Sequence, residues 1–192
     1  MLDSTIIIYG AFAGLVAILV TVAIERFGGL VGGVLGTIPS TIVPAAAGVY
    51  LIDGEATLAA SMSIVPLGML INGMFLGVWI IFPRYISNDN AKLPLTTLIS
   101  LIIWAILALT SLILARFLTN GIITELTLAI IGLCALIALA VVFNLRASEA
   151  PNGVNKVPRL ILSLRGLAAG IAIGACLWLA ELGLPFIAGL AS

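Results

Sequence analysis

The stretch ERFGGLVGGVLGTIPSTIVPAAAG, Glu25 to Gly48, decides how this chain is read. It lies inside almost unbroken apolar sequence, yet it holds six glycines and two prolines, the residues that weaken a helix most. The surroundings show that the punctuation belongs to a lipid-embedded segment. Of 192 residues, 62% are hydrophobic and 8% charged, and the mean hydropathy is +1.33. That is more apolar surface than a soluble domain can bury. The expected fold is an all-α integral membrane protein, a polytopic bundle forming a single transmembrane domain over residues 1–192.

Composition also excludes function classes. Formal net charge is zero and no long basic run occurs, so no nucleic-acid partner is expected. Histidine is absent, and Cys134 and Cys176 stand singly in apolar segments, which does not fit zinc-ligand spacing. No metal or other cofactor is expected. The opening MLDSTIIIYG has no basic residue ahead of its apolar run, which continues for a membrane thickness. It reads as a retained span rather than a cleaved signal peptide.

A helix needs about 20 apolar residues to cross a bilayer core of ~30 Å. Six segments meet that length: residues 5–24, 29–52, 56–82, 93–115, 126–145 and 160–180. Residues 183–192 are too few to cross, and are expected to re-enter partway, lie along the interface or begin a seventh helix. The breaks carry turn chemistry: DGE at Asp53, PRYISNDNAK from Pro83, TNG from Thr119 and SEAPNGVNKVP from Ser148. With these spans, Arg26, Arg84, Lys92, Arg146, Lys156, Arg159 and Arg165 fall at one face and only Arg116 at the other. Basic residues collect on the cytoplasmic side, so the N-terminus is expected outside. The expected setting is multi-pass insertion in a bacterial or archaeal plasma membrane. Trp104 falls near the middle of the fourth span, where its N–H needs a partner, so it should face another helix.

Within the opening stretch, Gly28, Gly32 and Gly36 are spaced by four, as are Gly29 and Gly33. Such rows let helix backbones approach closely, a main source of association in lipid. Pro39 and Pro44 cannot donate to the carbonyls of Leu35 and Ser40. An open acceptor in lipid costs several kcal/mol, to be offset by the hydroxyls of Thr37, Ser40 and Thr41 or by water in a cavity. A kinked helix and a discontinuous helix lining a site both fit. The third span repeats the theme: Pro66 frees the carbonyl of Met62, while Ser61, Gly68 and Asn72 share one helical face. Asn72 lies close to the bilayer centre, either as interhelical glue or as part of a polar pocket with the Thr37–Pro44 segment.

Residues 10–36 and 166–192 align without a gap, matching Gly10 with Gly166, Ala13 with Ala169, Gly14 with Gly170, Glu25 with Glu181 and Gly33 with Gly189. The two copies would run in opposite directions, which makes a candidate inverted repeat of the kind found in secondary transporters. Glu25 and Glu181 are the candidate ionisable residues, both near the interfaces. No carboxylate lies at the centre of a span, so direct proton coupling is not expected.

These readings lead to a small permease or carrier for a neutral solute or ion, its pathway lined by Thr37, Pro39, Ser40, Thr41, Pro44, Ser61, Pro66 and Asn72. The alternative is a non-transporting scaffold or subunit packing partner helices through its glycine grooves. Besides the lipid bilayer, the candidate partners are a second copy of the chain or another membrane subunit. An enzyme is not expected, because no deep acid pair, no nucleophile beside a base and no catalytic motif is present.

Overall fold

The computed structural model describes residues 4–27, 40–145 and 157–191. Among these the chain forms helices α1 (Ser4–Phe27), α2 (Ile42–Ile81), α3 (Asp89–Thr119), α4 (Glu125–Asn144), α5 (Arg159–Glu181) and α6 (Pro185–Ala191), with a 3-10 turn at Phe82–Tyr85 and no strand. Five of the helical stretches are long and apolar enough to cross a membrane. The protein is therefore built as a multi-pass membrane protein.

The second and third expected spans meet in α2. Straight, its 40 residues would reach ~60 Å, about twice the hydrocarbon thickness. Gly54 interrupts it with φ 80 and ψ −167, a conformation that glycine alone adopts cheaply. Asp53 and Glu55 on either side are exposed, and the Thr57 hydroxyl donates to Asp53 Oδ2 at 3.4 Å. The bend thus falls at the polar break read from DGE. Residues 28–39 lie outside the described residues, and with them the five glycines Gly28, Gly29, Gly32, Gly33 and Gly36, as well as Thr37 and Pro39.

The other helix ends follow local chemistry. Asn88 caps α3 by accepting from Asn90 N at 3.0 Å, and Thr124 caps α4 by accepting from Thr127 N at 3.2 Å, each covering an orphan first-turn donor. Between α5 and α6, Gly183 takes φ 73. Its N–H donates to Ala180 O at 2.9 Å and that of Leu184 to Leu179 O at 3.0 Å, the paired bonds of a Schellman ending. Pro185 then opens α6 at the position where a missing N–H costs nothing. With seven residues, α6 advances only ~10 Å and does not cross.

Chain contacts divide the protein into two compact units, Met1–Ser61 with Ala147–Ser192, and Met62–Arg146. In the first, α1 and α5 pack together, and Ile6, Ala13, Ala45, Val49, Ile173, Cys176, Leu177, Ala180 and Ala188 form its core. In the second, residues 62–81 of α2 lie with α3 and α4.

Candidate functional site

In the first unit, α1 and α5 touch through main chain. A Cβ added at Gly10 would stand 2.9 Å from Gly170 O, and one at Gly14 would stand 2.7 Å from Gly166 O. The reverse pairs are as close: Gly170 to Gly10 O at 2.9 Å and Gly166 to Gly14 O at 3.1 Å. Contacts step by four residues along both helices in opposite directions, so the pair is antiparallel. The glycines that do this carry the four-residue spacing on which the sequence reading relied, but they are the residues it had aligned as repeat-mates. Over this seam lies an open apolar groove of about 890 Å³, flanked by Ile7, Leu15, Leu167, Ile171 and Trp178.

Glu25 ends the same pair of helices. Its Oε1 accepts from the backbone N–H of Val157 at 3.0 Å, just ahead of α5, whose N-cap is Pro158 without a side-chain cap. The carboxylate supplies an acceptor and a negative charge at the positive helix end, where both are favourable. The bond ties two helix ends together. Glu181 is exposed at the last residue of α5.

Of the expected pathway residues in this unit, Ser40 and Thr41 form a turn, and Thr41 O accepts from Ala45 N at 3.3 Å. Pro44 is fully buried and is the third residue of α2. A first-turn N–H has no intrahelical acceptor, so Pro44 opens no carbonyl within the helix. Ser61 is 1% exposed, and its hydroxyl has no hydrogen-bond partner among the described residues.

The second unit brings polar groups together. Trp104 is the central residue of α3, and its Nε1–H donates to Asn72 Oδ1 on α2 at 2.9 Å. The partner expected for Trp104 is thus a neighbouring helix, and the partner of Asn72 is that indole. A spacing of four sets Thr96, Ser100 and Trp104 along one side of α3, and Ser111 returns to that side two turns later. Thr96 and Ser100 are fully buried, so this side points into the protein while Leu98, Leu101, Ile106 and Leu109 are exposed. Ser100 settles its hydroxyl on Thr96 O at 2.6 Å. The Thr96 hydroxyl has no partner among the described residues. A buried hydroxyl left unpaired costs about 1–3 kcal/mol, and most others on α3 avoid it: Thr97 and Thr119 donate to Leu93 O and Ala115 O, one turn back.

Pro66 and Leu67 pack against α4 at Gly132, where an added Cβ would meet Leu67 N at 3.1 Å and Pro66 Cβ at 3.2 Å. The glycine admits the bulky proline turn. Farther along, Gly73 and Gly77 receive Leu139 and Phe143 of α4. Pro66 therefore takes part in a helix contact. The sequence signal that was not used is the Thr96, Ser100, Trp104 spacing, visible as hydroxyls one turn apart in an otherwise apolar span.

No protein-family model matches the chain, and neither a curated protein nor a solved structure is similar to it.

Proposed function

We propose that the protein is a small permease for a neutral, weakly polar solute, and that its pathway follows the polar side of α3 past the Asn72–Trp104 pair. The observation that carries this reading is the stripe of Thr96, Ser100 and Trp104 along one side of α3, buried at Thr96 and Ser100, with an unpartnered hydroxyl at Thr96. Polar groups are costly in hydrocarbon and are kept there for packing or for passage. A packing role is satisfied at Ser100 and Trp104, whereas Thr96 offers a donor and acceptor to a guest. Hydroxyls, an amide and an indole suit hydrogen-bonding solutes, and none of them carries charge.

The inverted repeat belongs to the same reading. The repeat-mates of Gly10 and Gly170 are Gly166 and Gly14, so one close contact becomes the other when the copies are exchanged. Such reciprocity is what a two-fold between oppositely directed copies requires, and it supports the transporter assignment.

Purified protein in liposomes should pass small neutral solutes such as urea or glycerol, followed by light scattering after an osmotic jump. Thr96→Val should lower the flux several-fold while the protein stays folded. Liposomes no more permeable than protein-free ones, across a panel of such solutes, would remove the permease reading.

A second reading, a non-transporting subunit, is favoured by the open apolar groove over α1 and α5. It is separated from the first by Leu15→Trp, which fills that groove. Loss of a stoichiometric membrane partner without change in flux would support the subunit role.

A further inference from the structure

Asn72 is left half satisfied, and its remaining valences say what must cover it. An indole N–H can only donate, so the amide oxygen has to be the atom facing Trp104. That bond uses one lone pair. The second lone pair and both Nδ2 hydrogens remain, the residue is exposed, and its side chain makes no other hydrogen bond among the described residues.

Depth makes the deficit matter. Trp104 is central in a helix of 31 residues, so the bonded pair sits near the middle of the bilayer, ~15 Å from either headgroup region. On the lipid-facing side no ester or water reaches that plane, and an amide with free donors in hydrocarbon costs several kcal/mol. The complement must offer an acceptor to the N–H and a donor to the lone pair at the same depth. A second carboxamide does both. The chain has no glutamine; among the described residues its other asparagines, at 88, 90, 120 and 144, lie at helix ends or in connections, and Asn152 and Asn155 belong to the polar sequence SEAPNGVNKVP. The amide available at mid-depth is Asn72 of another copy.

We propose that the α2–α3 face bearing Asn72 is the interface of a homodimer, closed by a two-fold pair in which each Asn72 Nδ2–H donates to the other's Oδ1. Leu76, 60% exposed, and Leu101, 51% exposed, lie one turn from Asn72 and Trp104 and form the apolar rim. Trp104 fixes the rotamer of Asn72, so the amide is presented rather than folded back. Asymmetry of the basic residues favours copies inserted the same way, with the two-fold along the membrane normal. The interface stands whether or not the seam beside it conducts.

The test uses the full chain, freed of Cys134 and Cys176, in liposomes. Leu76→Cys treated with a short bismaleimide should give a covalent dimer, while Leu133→Cys on α4, also exposed, should not. Adding Asn72→Leu should weaken dimerisation about tenfold, as expected for interhelical amide bonds in lipid, and Asn72→Gln should keep most of it. Photobleaching steps of the labelled native sequence, over a range of lipid dilution, should show dimers without any substitution to disturb folding. Single steps at every dilution, cross-linking indifferent to Asn72→Leu, or equal linking through Leu133→Cys would each overturn the interface. A dimer without solute flux would remove the permease reading and leave this one standing; flux from a monomer would do the reverse.

Discussion

In the α1–α5 pair Gly10, Gly14 and Gly170 lie closest to the backbone of the opposite helix, with the Ile18 side chain also pressed on Gly166, whereas between α2 and α4 glycine mostly faces a side chain. Gly14 meets a carbonyl at 2.7 Å, while Gly77 meets the ring edge of Phe143 at 2.8 Å and Gly73 meets a methyl of Leu139 at 3.0 Å. The difference lies in what can move. A carbonyl held in a helix cannot step aside without shifting the whole rod, but a side chain can change rotamer. Lipid provides no hydrophobic drive between helices, so the first arrangement depends chiefly on main-chain proximity and the second on side-chain shape.

The largest expected effect comes from breaking the rigid contact. Gly14→Leu should separate α1 from α5, and with them the core around Ala13 and Leu177. The expected loss is about 3 kcal/mol or more, the upper range for overpacking a tight site, read as a steep drop in detergent melting temperature. A second copy of the same contact exists at Gly10, so Gly10→Leu should behave alike. Equal tolerance at Gly14 and at Gly77 would show that the two packing modes do not differ.

Gly132 is intermediate, because it meets both kinds of neighbour: Leu67 N at 3.1 Å and the Pro66 ring at 3.2 Å. Gly132→Ala should cost roughly 1–2 kcal/mol. Pro66 sharpens the comparison, since its ring replaces the backbone N–H that would otherwise stiffen that turn. Gly132→Ala should cost about as much in a Pro66→Ala background, because alanine keeps the Cβ that stands 3.2 Å from the new methyl, and less in a Leu67→Ala background, which removes the Leu67 Cγ at 3.1 Å.

The sequence carried the coarse organisation well. Hydrophobic length and turn chemistry marked α1, α3, α4 and α5 within a few residues, and DGE marked the bend at Gly54. Trp104, out of place for an interfacial residue, pointed to a helix partner. Pairing was harder to read, because in a chain rich in glycine every four-residue spacing looks like a groove, and spacing alone does not name the opposite helix. That is why Gly10, Gly14, Gly166 and Gly170 stood out as a repeat before they stood out as a contact. The α3 hydroxyls were missed for a related reason: Ser and Thr usually bond their own helix backbone, as Thr97 and Ser100 do, so sequence does not single out Thr96.

Removing the interhelical bond should cost less than either glycine change. Trp104→Phe keeps the ring and deletes the N–H that reaches Asn72, and polar contacts between membrane helices are worth about 0.6 kcal/mol on average, up to roughly 2. Stability should fall within that range. The freed Asn72 amide should also lose its fixed orientation, so dimerisation should weaken with it, which a change confined to one chain's packing would not cause.

Thr96→Val should have the smallest effect on stability, and the sign is informative. Taking away a hydroxyl that already lacks a partner removes a desolvation penalty without removing a bond, so the melting temperature should hold or rise, by up to ~1 kcal/mol. The α1–α5 pair has no unpaired buried hydroxyl among the described residues. If Thr96 serves passage, the gain in stability and a several-fold loss of flux should appear in the same variant. If instead Thr96 is bonded to a buried water that braces α3, Thr96→Val should destabilise the protein, and flux should fall only as fast as folded protein is lost. A neutral or stabilising substitution that slows transport would tie the unpaired hydroxyl to the solute rather than to the fold.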